Sequence, residues 1–344
     1  MVDPATEYVP IDWSPDRADA EEAATPPRLR RVISSRYIHR RQLTHFGLLN
    51  VAPHLVAVLA IVSCVWIPVG WPEAVSIAAM WMVTGLGITV GYHRLFTHKS
   101  FEATPLAEIL LVVAGSMAGQ GGVISWAATH RRHHQMSDRD GDPHSPNTHG
   151  RTVTGVIRGL AHSHFLWMRK HDYPNPSYYA KDLLRKRHLA WVNARYYLWV
   201  GLGIALPAVA VALMRQSWTG LISGALWGGA VRIVILGNTI WAINSILHVT
   251  GTRDFDTRDF SGNSALFGLV TFGESFHHNH HAFPRSASFG LGKAWLDPGY
   301  WAIRLLSVAG LAKNPLVPDR EVIARRRAIS LNHELDGNLH VSGR

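Results

Sequence analysis

The chain carries 21 histidines, and nine of them fall into four short, patterned groups. His93 and His98 form an HxxxxH pair in HRLFTH, and His130, His133 and His134 form HxxHH in HRRHH. His248 closes NSILH, while His277, His280 and His281 form a second HxxHH within HHNHH. On a helix, residues three and four apart share a face, so each HxxHH is expected to aim its imidazoles in one direction from a rigid element. Nine converging neutral imidazoles suit a pair of first-row transition metals, whereas calcium and magnesium want oxygen ligands. Single histidines are common at polar–apolar boundaries. Two HxxHH groups and an HxxxxH pair, set at the ends of apolar stretches, are not explained that way.

The elements that must position these groups are apolar and clumped. With 47% hydrophobic and 17% charged residues, the chain departs from ordinary soluble composition. Four stretches read as membrane spans: Phe46–Val69, Ala74–Gly91, Tyr197–Met214 and Leu221–Val249. A fifth, Leu106–Ile124, contains Gln120 and several glycines and reads as one helix, buried in the protein or dipping into the membrane. The net charge of +10 does not point to nucleic acid, because the positive residues flank spans. Arg28, Arg30, Arg31, Arg36, Arg40 and Arg41 precede the first span, whereas Gly70–Glu73 and Arg215–Gly220 hold one Arg between them. The positive-inside rule then puts both termini and the segment His93–Arg195 on the cytoplasmic side. Cys64 is the sole cysteine, which excludes internal disulfides and a cysteine-ligated cluster. No secretory signal pattern opens the chain. The expected organisation is a disordered tail over 1–27, one membrane domain over 28–318 and a carboxy-terminal tail over 319–344 with a short helical run, Arg320–Ala328. The fold class is all-α: four transmembrane helices under a cytosolic helical cap that holds a di-metal site.

The motifs GITVGYHRLFTH (87–98), WAATHRRHHQMSDRDGDPHSP (126–146), SHFLW (163–167), WAINSILH (241–248) and GESFHHNHHAFP (273–284) occur in that order. Together they resemble the membrane-bound fatty-acid desaturase family, most closely the Δ9 acyl desaturases, across about residues 40–310. The resemblance implies a mushroom-shaped enzyme that inserts a cis double bond into a fatty-acyl chain, using O2, two external electrons and two irons. It assigns His93, His98, His130, His133, His134, His248, His277, His280 and His281 as ligands, with Asn244 reaching one iron through a water. Asp138, Asp142 and Glu274 are candidate acceptors for imidazole N–H groups. His144 and His164 match motif positions but not ligands, and His278 is read as a neighbour.

The same resemblance places Gln120 and Trp126 at a bend in an acyl tunnel, and Trp81 and Gly85, four apart on the second span, at its far end. It implies a separate electron donor, a ferredoxin or cytochrome with its reductase, since no fused haem or iron–sulfur segment is visible. Arg131, Arg132, Lys170, Arg185, Lys186 and Arg187 are candidates for docking an acidic donor or anionic lipid. Two departures bear on the substrate. Ala128-Thr129 stands where acyl-CoA desaturases carry Arg-Asp, and Ile240 stands where relatives carry a threonine. Acyl-CoA and acyl-lipid carriers therefore both stay open. A hydroxylase or acetylenase outcome on the same scaffold is one alternative, and a histidine-rich metal transporter is another. A bacterial plasma membrane is the expected location.

Overall fold

The computed structural model describes residues 31–169 and 171–341, with side chains described as far as 330. The expected tail 1–27, Arg28, Arg30 and Lys170 lie outside the described residues. The principal helices are, in chain order, α1 (Arg36–Ser63), α2 (Trp71–Thr97), α3 (Pro105–Ser116), α4 (Val123–Met136), α5 (Val153–His164), α6 (Arg187–Ala194), α7 (Tyr196–Arg215), α8 (Thr219–Ile246), α9 (His277–Ala282), α10 (Pro298–Val308) and α11 (Arg320–Val341).

Four of these, α1, α2, α7 and α8, are long and apolar enough to cross a membrane. The first starts well before the expected Phe46. The Ser35 side chain caps it by accepting the Ile38 N–H at 3.1 Å, and it stops before Pro68, which cannot continue a helix. The spans are not equivalent. Within their apolar windows 44% of α2 and 56% of α8 is buried, against 22% of α1 and 28% of α7. α2 and α8 therefore form the protein-packed centre, and these two lead into His93 and Asn244. The outer pair shows Leu55, Leu59, Leu198 and Leu213 to lipid.

One buried cation joins three elements. Arg232 of α8 is fully buried and donates to Gly228 O at 3.2 Å, Met117 O at 2.9 Å and Gly203 O at 2.8 Å. Gly203 lies four residues before Pro207 inside α7, so its carbonyl has no intrahelical N–H to accept. The guanidinium supplies the missing donor, as the hydrocarbon setting demands.

The stretch Leu106–Ile124 is two helices, not one. α3 ends at Ser116, and the chain turns through Gly119 and Gly121, whose φ values are +77° and +95°. Those backbone conformations suit glycine and break the helix between them. α4 then restarts at Val123 and carries HRRHH.

The cap is tied by short antiparallel pairs: β1 (Val32–Ile33) with β3 (Tyr173–Pro174), and β2 (Glu102–Ala103) with β4 (Ala312–Lys313). The carboxy-terminal helix extends past the expected Arg320–Ala328 run. It docks on the cap through Arg327–Asp254 at 2.9 Å and Arg326 over the Phe283 ring at 5.0 Å.

Candidate metal centre

The HxxxxH spacing is awkward for an α-helix, where residues five apart diverge. The end of α2, Gly87–Thr97, winds in wider π-type turns whose hydrogen bonds reach back five residues. His98 N donates to His93 O at 3.1 Å, which brings the two rings edge to face with centroids 4.9 Å apart.

The nine histidines gather in two groups. His93, His98, His130, His134 and His280 bring one nitrogen each to within 4.8 Å of one another; His133, His248, His277 and His281 do the same. The expectation that each HxxHH points one way needs correction. Positions i+3 and i+4 differ by about 100° around a helix, and both boxes fork across that angle. His130 and His134 join the first group while His133 joins the second; in α9, His277 and His281 join the second while His280 joins the first. Each box thus feeds both groups.

Carboxylates hold the far side of four rings. His93 Nδ1 lies 2.6 Å from Glu274, His133 Nδ1 3.0 Å from Asp142, His248 Nδ1 2.8 Å from Asp138 and His281 Nδ1 3.3 Å from Asp259. Burial alone would raise these carboxyls. The imidazoles beside them outweigh it, holding Asp142 at about 2 and keeping Asp138, Asp259 and Glu274 below the ordinary carboxylate range. Burial, with neighbouring imidazoles, pushes His98, His130, His134, His277 and His280 well below the ordinary 6.5, so these rings are neutral. Asp259 was not singled out from the sequence, because nothing in its spacing separates it from Asp254 or Asp256. Thr89 and Arg94, which also approach Glu274, were missed for the same reason.

The donor chemistry fits metal. An ionised carboxylate only accepts, so each ring it orients carries its proton on Nδ1 and offers a lone pair at Nε2. Those Nε2 atoms face other Nε2 atoms: His93–His280 at 3.0 Å, His248–His277 at 2.9 Å and His133–His281 at 3.4 Å. In the last pair both Nδ1 protons are directed at carboxylates, so the neutral rings bring two lone pairs together at Nε2. Nitrogens each about 2 Å from a shared cation fall about this far apart. Converging lone pairs of this kind are a ligand set.

A cavity of about 660 Å³ lies against both groups, touching His93, His130 and His277. Asn244, Gln120 and Trp126 line it. Trp126 stacks on His130 with centroids 5.0 Å apart and planes at 19°, and Gln120 Oε1 accepts from Trp241 Nε1 at 2.8 Å. Trp81 and Gly85 are not among its lining residues; Trp81 packs instead on Phe272, with centroids 4.5 Å apart.

Three further histidines have other partners. His144 stacks on His133 at 4.3 Å, His164 faces Ser245 Oγ at 3.0 Å and Asn238 Oδ1 at 3.1 Å, and His278 Nε2 accepts the Phe255 N–H at 3.0 Å. Among the basic cap residues, Arg131 is turned inward onto Asp182 and the carbonyls of Phe96, Thr97 and Tyr179, and Lys186 pairs with Glu108. Arg185 and Arg187 are exposed.

Comparison with known proteins adds the family context. The family model for fatty acid desaturases matches residues 66–301. The hex-5-enoyl-[acyl-carrier protein] acetylenase of Moorena producens (strain JHB) is 40% identical over 299 residues, covering 86% of this chain and 93% of that protein. The sn-1 stearoyl-lipid 9-desaturase of Anabaena variabilis is 34% identical over 261 residues, 74% of this chain and 86% of its own. Delta-9 acyl-lipid desaturase 1 of Arabidopsis thaliana is 33% identical over 257 residues, 75% of this chain and 79% of its own.

Proposed function

The chain belongs to the fatty acid desaturase family, and from that premise we propose that its two histidine groups hold two irons that desaturate an acyl chain lying in the adjoining cavity. The protein is a membrane oxidoreductase acting on a fatty-acyl substrate. The observation that carries the finer reading is the pairing of lone-pair nitrogens described above, open to a cavity that touches both groups.

His93, His98, His130, His134 and His280 would ligate one iron; His133, His248, His277 and His281 the other, with Asn244 near the second through a water. Two irons bound there, with O2 and two external electrons, supply the oxidising power to remove hydrogen from adjacent unactivated carbons, which no side chain provides. The protein's share is positional. Glu274, Asp142, Asp138 and Asp259 fix the imidazole tautomers. Trp126, held flat against His130, and Gln120, held by Trp241, shape the wall beside the reacting carbons. The lining of Ile88, Ile124, Ile240 and Trp241 keeps bulk water from the chain.

A Δ9 outcome on an acyl-lipid matches the named activities of several relatives. Acetylenic chemistry, the removal of hydrogen from an existing double bond, is the second reading, favoured by the 40% identical relative. An acyl-carrier thioester then joins acyl-CoA and acyl-lipid as a candidate substrate. Electrons would come from a separate ferredoxin or cytochrome with its reductase, docking on the exposed face that carries Arg185 and Arg187. The cap and both termini would be cytoplasmic in a bacterial plasma membrane.

The test uses one variant from each group. Purified protein should carry about two irons per chain, by the ligand count above. His133→Ala and His280→Ala should each abolish unsaturated product in a host lacking its own desaturase while still inserting into the membrane. Product mass spectrometry distinguishes double from triple bonds. Full activity in either variant would remove the site assignment.

A further inference from the structure

The two histidine groups differ in what stands behind them. In the second group three of the four rings rest on a carboxylate whose side chain is at most 9% exposed: His133 on Asp142, His248 on Asp138 and His281 on Asp259. In the first group only one of the five does so, His93 on Glu274. Among the described residues no acidic side chain pairs with His98, His130, His134 or His280. His98 Nε2 and His280 Nδ1 have no hydrogen-bond partner there at all.

The cations are distributed the other way. Arg94, the residue after His93, is fully buried, and its Nη2 lies 3.7 Å from Glu274 Oε1 and 2.9 Å from Asp297 Oδ1. The same nitrogen donates to Phe272 O at 3.2 Å, and the guanidinium carbon stands 4.1 Å from the centre of the Phe289 ring. A Cβ added to Gly299 would come within 2.1 Å of Nη1, so α10 closes the cage against the side chain. The positive charge is therefore held in place beside Glu274. No Arg or Lys comes within 4.0 Å of Asp138, Asp142 or Asp259 among the described residues. Those three accept instead from neutral groups: Asn147 Nδ2, the Asp138 N–H and the Ser261 N–H. The second group thus faces three negative charges. The first faces a net of one, Glu274 and Asp297 against Arg94.

A carboxylate behind an imidazole makes the ring a stronger donor. Unscreened negative charge also favours the more positive state of a nearby metal. Both effects point the same way. We propose that this asymmetry makes the two irons inequivalent: the first group takes the first external electron, and the second group keeps its iron ferric until the second arrives. Each step adds one electron from the external one-electron donor and converts one ferric ion to ferrous. Arg94 is then a positioning residue that acts through Glu274. The proposal rests on the two-iron reading above, so iron content is measured before any electron is added.

Full-length protein in detergent, loaded with excess iron enriched in the Mössbauer-active isotope, is titrated electrochemically. Wild type should be reduced in two steps. At half reduction, molecules with the ferrous ion in the first group should exceed the reverse by about tenfold or more, equivalent to about 59 mV between the steps. Asp138→Asn, Asp142→Asn and Asp259→Asn should each raise the second step and alter the Mössbauer signal of the iron that is still ferric at half reduction. Arg94→Gln should lower the first step and alter the signal of the iron already ferrous, and Arg94→Lys should restore the wild-type separation. A general loosening of the fold would not move opposite steps in the two sets of variants. If Arg94→Gln does not fold, the three aspartate variants decide alone. Two bound irons reduced in a single step, or aspartate variants that shift the first step, overturn the proposal and leave the two-iron reading intact. Protein that takes up no pair of irons rejects that reading and the proposal with it.

Discussion

Asp259 is the residue whose role the structure adds, and its contact with His281 is the longest of the four carboxylate–imidazole pairs at 3.3 Å. Replacing it with Asn should weaken metal retention or activity by about 10–100-fold, as loss of an orienting acceptor generally does. Chelator challenge followed by metal analysis measures this, and full retention in Asp259→Asn would place the residue outside the centre. A second expectation follows from the neutral imidazoles. His98, His130, His134, His277 and His280 are held well below 6.5 by burial in the folded protein and would titrate near 6.5 when unfolded. With the folded values depressed, their stabilising contribution is present above pH 6.5 and lost as pH falls below it. Metal-free protein should therefore melt at a lower temperature at about pH 5.5 than at about pH 7. Metal-loaded protein should be less sensitive over that range, since the cation competes with the added protons. Melting curves at both pH values, with and without metal, check this. At this scale the histidines were legible because their spacing is periodic. The carboxylates were partly legible: Asp138, Asp142 and Glu274 lie inside histidine-bearing motifs, though only Asp142 shares one with the ring it meets, whereas Asp259 reaches His281 from a loop with no period to read.

Helices set the next scale, and Arg232 gives its clearest test. Arg232→Met keeps the bulk but strands the carbonyls of Gly203, Gly228 and Met117 of their guanidinium donor. Each stranded buried carbonyl costs about 1–3 kcal/mol, so the variant should inactivate at a markedly lower temperature in detergent. Pro207→Ala in the same protein should recover part of that loss, because the new N–H can satisfy Gly203 within α7. No recovery would show that the carbonyl freed by Pro207 is not what Arg232 serves. The variant should also loosen the 117–122 turn that carries Gln120, since Met117 O is one of the three anchors. Span number and approximate position were legible from apolar length. The break at Gly119–Gly121 was not, because a glycine-rich stretch announces freedom without revealing the sign of φ. The π-type winding after Gly87 was hidden too: HxxxxH looks out of register until the backbone turns wider.

At the scale of the whole molecule, the lone Cys64 is a native reporter of orientation. It lies just past the end of α1, at the membrane face opposite the histidine-bearing ends of α2 and α8, and it is exposed. A membrane-impermeant maleimide should label it in sealed inverted vesicles only after permeabilisation, and in intact spheroplasts directly. Labelling in the opposite pattern would invert the proposed cytoplasmic cap. The stem was legible as four apolar stretches. The cap was not, since it is assembled from contacts such as β2 with β4 and α11 with the 254–256 loop that lie far apart in sequence and follow no local pattern. The forked HxxHH boxes also have a consequence for how the protein is made. Because α4 and α9 each send ligands to both groups, filling one group fixes the helix rotation that presents the other. Metal uptake should thus be concerted: native mass spectrometry of partly loaded protein should find mostly chains with no metal or two, and few with one. A cell short of the metal would then hold fewer complete enzymes, not a stock of half-assembled ones.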